Sequence, residues 1–192
     1  MSSVSLIVGL GNPGSEYEQT RHNAGFFLVE RIAEQNGGSF RKESKFHGAV
    51  AKVNIGGRNI WLLKPDTFMN RSGQAVGAIA NFYKIEPEAI VLAHDELDLD
   101  PGTARLKLNG GHGGHNGLRD TIAHLGSKNF QRLRIGIGHP GNAKQVSNYV
   151  LKKASVDDQI EIDHAIDRII KVLPQIIAGD SQKAMNELHT TP

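Results

Sequence analysis

Glycine constrains this chain more than any other residue. Ten of the 22 glycines gather at Gly9 to Gly14, at Gly56-Gly57 and at Gly110 to Gly117, each cluster lying between patterned segments. Such clusters mark backbone that must turn sharply or lie close to another group. Between them the pattern alternates. Val4 to Leu10 and Ala89 to Ala93 are short continuous apolar runs, as strands covered on both faces require. Asn23 to Gln35 places Phe26, Phe27, Val29, Ile32 and Ala33 at helical spacing, and Gly37-Gly38 stops it. Gly48 to Ile55 and Asn59 to Leu63 flank Gly56-Gly57, a two-residue hairpin signal. Gln74 to Tyr83 and Leu118 to Leu125 read as helices, and Thr103 to Leu108 and Arg132 to Ile137 as strands. Ser155 is a good N-cap for a long helix with Ile160, Ala165, Ile169 and Val172 on one face. The expectation is a single α/β domain over residues 1–192, a twisted mixed β-sheet flanked by helices, because the hairpin forces at least one antiparallel pair.

Composition removes several function classes. The chain has no cysteine, which excludes a disulfide scaffold, a thiol nucleophile and thiolate metal sites. A formal charge of +2 is too small for a polycation. The start has no basic leader region, and no apolar stretch approaches the roughly 20 residues of a membrane helix. A cytoplasmic protein without membrane contact is the expectation.

Gly9-Leu10-Gly11-Asn12-Pro13-Gly14 matches the dinucleotide fingerprint in letters, but that fingerprint needs its third glycine to open a helix. Ser15 to His22 has no apolar face, and hairpin strands follow where a βαβ unit is required. The glycines instead shape a rigid loop that presents Asn12. His22 and Asn23 stand between this loop and the first helix. The Ile90 to Ala93 strand runs into His94-Asp95-Glu96-Leu97-Asp98, so acids reach the same rim as His22. A carboxylate on one imidazole nitrogen sets the tautomer and leaves the other nitrogen to take a proton. Spacing alone leaves Asp95, Glu96 and Asp98 as alternatives, and Asp98 and Asp100 before Pro101-Gly102 also suit a turn. No serine sits in a nucleophile elbow. A His–Asp pair acting on water is the simpler chemistry.

His112 and His115 in the Gly110 to Gly117 loop form a poor metal set without a third ligand at helical spacing. The loop serves either as a lid bringing Asn116 to a substrate carbonyl or as a helix start with Asn116 as N-cap. Lys64 to Gly73 holds Phe68-Met69-Asn70, either a surface for a base or sugar or plain core. Thr103 to Arg134 carries six basic residues and one acid, whereas Val156 to Asp167 carries five acids and no base. The pairs Arg105/Lys107 and Arg132/Arg134 each share a strand face, a polarity that guides a polyanion to one side. No base-reading motif accompanies them.

Taken in order, Gly9 to Gly14 with Tyr17, Thr20 to Gly25, Lys64-Pro65 with Phe68 to Asn70 and Ser72-Gly73, His94 to Asp98, Gly110 to Gly117, and Arg134 to Pro140 resemble the bacterial peptidyl-tRNA hydrolase family over essentially the whole chain. The resemblance implies hydrolysis of the ester joining a blocked peptide to the 3′ ribose of tRNA, recycling tRNA from stalled translation. It implies a monomer that needs no cofactor or metal and has no DNA specificity. It also implies His22 as general base, Asp95 as the acid that holds it, and Asn12 as reader of the peptide-like α-nitrogen. Tyr17, Phe68, Met69, Asn70, His115 and Asn116 would bind the peptidyl and terminal-nucleotide parts. Arg105, Lys107 and Arg134 would meet tRNA phosphate, Arg105 standing where the family often has lysine. An RNA-binding module that shelters a tRNA end and a nucleotide-dependent oxidoreductase are the rival expectations.

Overall fold

The computed structural model describes residues 3–190, built around one seven-stranded sheet. β1 (Leu6–Gly9) pairs in parallel with β4 (Arg58–Pro65) and with β5 (Ile90–Glu96), and β5 pairs in parallel with β7 (Gln131–Gly136). Antiparallel neighbours complete both edges: β3 (Gly48–Ile55) on β4, β2 (Arg41–Glu43) on β3, and β6 (Ala104–Lys107) on β7. The order is β2-β3-β4-β1-β5-β7-β6. Gly56 and Gly57 both hold positive φ, 59° and 82°, which lets Ile55 pair directly with Arg58 across a two-residue turn.

Helices cover both faces, as the continuous apolar strands demand. α1 (Ala24–Gln35), α5 (Val156–Ala178) and α6 (Ser181–Thr190) bury Leu28, Ile32, Ile166, Ile169 and Leu188 with Ile7, Val91 and Leu133. On the other face α2 (Ser72–Tyr83) and α3 (Asn116–Leu125) pack Val76, Ile79 and Leu118 with Leu6, Val8 and Leu92. A short α4 (Val146–Val150) precedes α5. None of the described helices is long and apolar enough to cross a membrane.

Two expectations need correction. β5 does not stop at Ala93, because Arg134, Ile135 and Gly136 of β7 supply register partners for His94, Asp95 and Glu96. Ile160 does not share the buried face of α5; it is 46% exposed, and the inward face begins at Ile162. The polar segments forming β2, α4 and α6 gave no signal. In α6, His189 Nε2 accepts the Leu106 amide at 3.0 Å, occupying a donor on the sheet edge that would otherwise face solvent.

Candidate active site

A 3₁₀ turn, Arg21–Asn23, precedes α1 and brings His22 to the carboxyl ends of β1 and β5. Its reach depends on glycine. A Cβ on Gly25 would stand 2.3 Å from the Ala93 carbonyl oxygen, and one on Gly9 would stand 2.3 Å from that of Gly25. Only bare backbone lets α1 sit this close to both strands. The turn is also strapped from outside. Arg21 donates to the Tyr149 carbonyl at 2.8 Å, and its guanidinium lies 3.8 Å over the Tyr149 ring.

Asp95 is the acid among the three candidates that meets His22. Its Oδ2 lies 2.8 Å from His22 Nδ1, and its Oδ1 lies 2.8 Å from Nε2 of His115. Glu96 pairs with Arg134 Nε at 2.9 Å instead, and Asp98 is an exposed turn residue. The proton positions around Asp95 follow from the far side of His115. That residue, not Asn116, is the N-cap of α3: its Nδ1 accepts the amides of Gly117 and Leu118 at 3.1 and 3.3 Å. An accepting Nδ1 places the proton on Nε2, so His115 donates to Asp95. The ionised carboxylate accepts from His22 Nδ1–H as well, which leaves a lone pair on His22 Nε2.

The electrostatics agree with this inventory. Burial opposes ionisation of Asp95, yet the charges and hydrogen bonds of His22 and His115 hold its carboxyl well below the usual range. At His22, burial disfavours the imidazolium, and the charge and hydrogen bond of Asp95 outweigh it, raising the pKa. His94, by contrast, is lowered to about 4, chiefly by burial and further by the neighbouring His115, although the Asp95 carbonyl accepts from its Nδ1 at 2.8 Å.

The donor atoms of His22, Asp95 and His115 lie within 4.8 Å of one another, which is also a metal-ligand set. A metal at His115 Nε2 would push that nitrogen's proton onto Nδ1, where two amide donors already point. The cluster is therefore better suited to moving a proton than to holding a cation.

Asn12 is 7% exposed and held from three directions. Its backbone exchanges hydrogen bonds with the Asn23 side chain at 2.8 and 2.9 Å, and its Oδ1 accepts the Met69 amide at 2.6 Å. With the oxygen engaged, the Nδ2–H groups are the polar hydrogens that the Asn12 side chain has left to donate. Phe68 and Met69 divide between the two alternatives. Phe68 is 58% exposed and meets Tyr17 edge-on at 6.3 Å, whereas Met69 is buried. Asn70 and Asn116 are exposed at the starts of a 3₁₀ turn and of α3. A groove of about 640 Å³ runs behind the Asn12 to Gly14 loop along Phe26, Glu30 and Lys64, and neither His22 nor Asp95 lines it.

Arg132 shares a strand face with Arg134, as the spacing predicts, but it does not belong to a surface that could guide a polyanion. Arg132 is 1% exposed and packs 4.2 Å over Phe130. It donates to the Gly110 carbonyl at 2.6 Å, which pins the base of the glycine loop. Burial lowers its pKa to about 10. Alternating Arg-Leu-Arg reads as a solvated edge, so no signal in the sequence revealed it. Arg105 lies opposite Arg134 and Lys107 opposite Arg132, and these three other bases remain accessible beyond the loop.

Sheet and cleft together define an open, mixed α/β fold with a buried carboxylate between two histidines at the carboxyl ends of its strands. The family model for peptidyl-tRNA hydrolase matches residues 6–192. Peptidyl-tRNA hydrolase of Pseudomonas putida (strain GB-1) is 59% identical over 191 residues, covering 99% of this chain and 98% of its own. That of Stenotrophomonas maltophilia (strain R551-3) is 58% identical over 190 residues, with 99% of each chain covered. The crystal structure of the Acinetobacter baumannii peptidyl-tRNA hydrolase superposes with a TM-score of 0.95 at 54% identity, covering 98% of this chain and 95% of that one. The chain belongs to the peptidyl-tRNA hydrolase family, whose members hydrolyse an ester bond.

Proposed function

We propose that the chain, acting as one domain, cleaves the ester between an N-blocked peptide and the 3′ ribose of tRNA with water activated by His22. The observation that carries this reading is the chain of contacts from the α3 amides through His115 and Asp95 to His22, from whose amide end the proton order follows. It leaves His22 Nε2 basic. Water gives its proton to Nε2 and its oxygen attacks the ester carbonyl. The resulting imidazolium is stabilised by Asp95, and the same proton passes to the departing ribose oxygen. General-base help of this kind contributes about 10²–10⁴-fold.

Asn70 and Asn116 flank the reacting carbonyl as neutral amide donors, a role in which each donor contributes about 10²–10³-fold. Asn12 presents N–H groups to the acyl carbonyl of a blocked amino terminus. A free α-ammonium has only donors and meets them unfavourably, which spares aminoacyl-tRNA. Tyr17 and Phe68 provide ring surface for the peptidyl or terminal-nucleotide part, and Met69 supports Asn12 from beneath. Arg105, Lys107 and Arg134 receive tRNA phosphate. The enzyme works as a cytoplasmic monomer.

The test compares N-acetyl-aminoacyl-tRNA with its unblocked twin, beside a His22→Ala control. Cleavage of the blocked ester alone, lost in the control while tRNA still binds, is expected. Full turnover by His22→Ala would end the proposal, and tRNA binding without any cleavage would favour a binding module.

A further inference from the structure

We infer that the chain carries a separate docking surface for single-stranded RNA where the end of α2 meets β3 and β4. Four of its eleven aromatic residues gather there: Phe46, Trp61, Phe82 and Tyr83. Trp61 and Tyr83 stack with ring centres 4.7 Å apart and planes 17° from parallel. Phe82 stands edge-on to both Tyr83 and Phe46, at 4.9 and 5.3 Å. Phe46 is buried and fixes the group to the core, whereas Phe82 is 57% exposed and Tyr83 37%.

Lysines surround these rings. Lys45 Nζ lies 4.4 Å from the Phe82 ring centre and Lys52 Nζ 5.3 Å from that of Trp61. Lys45, Lys52 and Lys84 are exposed, and among the described residues no carboxylate pairs with any of them. On the face that carries Trp61 and Lys52 the strand register also places Arg41.

Charge and ring surface together select the occupant. A polyanion answers the lysines, and only unpaired bases answer the exposed rings, because a duplex hides its base faces while an acidic peptide has none. The surface is distinct from the Arg105, Lys107 and Arg134 patch. Five strand spacings of about 4.8 Å separate β3 from β6, roughly 24 Å in all.

Trp61 is the sole tryptophan, so its fluorescence reports on this surface directly. The full chain is titrated with a ten-residue oligouridylate at low salt, beside a duplex RNA of equal length and a polyglutamate. Saturable quenching by the oligouridylate is expected, weakened by added salt and at least about tenfold by Phe82→Ala. Lys45→Glu, a fully surface change, should weaken it similarly without altering the melting temperature. Absence of quenching, equal quenching by duplex or polyglutamate, or unchanged affinity in both variants would overturn the inference.

Discussion

Replacing Asp95 by asparagine tests the proton order with a side chain of the same shape. In the native site Oδ1 accepts from His115 and Oδ2 accepts from His22, both at 2.8 Å. His115 must remain a donor because its Nδ1 is occupied by the Gly117 and Leu118 amides. The carbonyl of the substituted side chain is therefore drawn to His115, and its NH₂ faces His22 Nδ1. That nitrogen must then accept, which moves the His22 proton to Nε2 and removes the lone pair that deprotonates water. A complete loss of base function costs about 10²–10⁴-fold in rate, or about 3–5 kcal/mol of barrier. Single-turnover cleavage of N-acetyl-aminoacyl-tRNA measures this, with the melting curve as a check on folding. Adding His115→Ala releases the amide to turn its oxygen to His22, so the double variant should be at least as active as Asp95→Asn alone. More than a tenth of wild-type rate in the single variant, or a further loss in the double, would refute the reasoning.

Other perturbations separate framework from chemistry. Gly25→Ala should lower stability by about 1–3 kcal/mol and reduce turnover, since the new methyl forces α1 off Ala93; thermal unfolding beside kcat gives the answer. Arg132→Met should leave the melting temperature nearly unchanged, because an apolar chain replaces a buried charge, while kcat/KM falls about tenfold or more as the loop loses its anchor at Gly110. His94 has a folded-state pKa of about 4 against 6.5 unfolded, so the unfolded chain binds the extra proton first. Stability from this group is full above pH 6.5 and drains as pH falls toward 4, by about 3 kcal/mol in total. Urea unfolding of His94→Asn should show a flatter profile across that window.

The apolar runs, the Gly56-Gly57 hairpin and the helical spacing of Asn23 to Gln35 made the sheet and its first helix legible, since these are local patterns. What stayed hidden was set by neighbours distant in sequence. The extension of β5 through Asp95 depends on pairing with β7, and no property of His94 to Glu96 announces it. The choice of Asp95 over Glu96 is likewise made by alternation on that strand and by Arg134, which takes Glu96. His115 reads as a loop histidine until its two nitrogens are seen to join a helix end to a carboxylate. Arg132 reads as surface until Phe130 and Gly110 enclose it.

The central claim is that a neutral His22, protonated on Nδ1 and basic at Nε2, is the group whose titration governs turnover. Long-range ¹H–¹⁵N NMR of the imidazoles, set beside the pH–rate profile, tests this most directly. The account predicts the Nδ1–H tautomer for His22, a pKa raised above 6.5, and a rate that climbs with pH through that same value. An Nε2–H tautomer, or a rate profile that ignores the His22 titration, would contradict it.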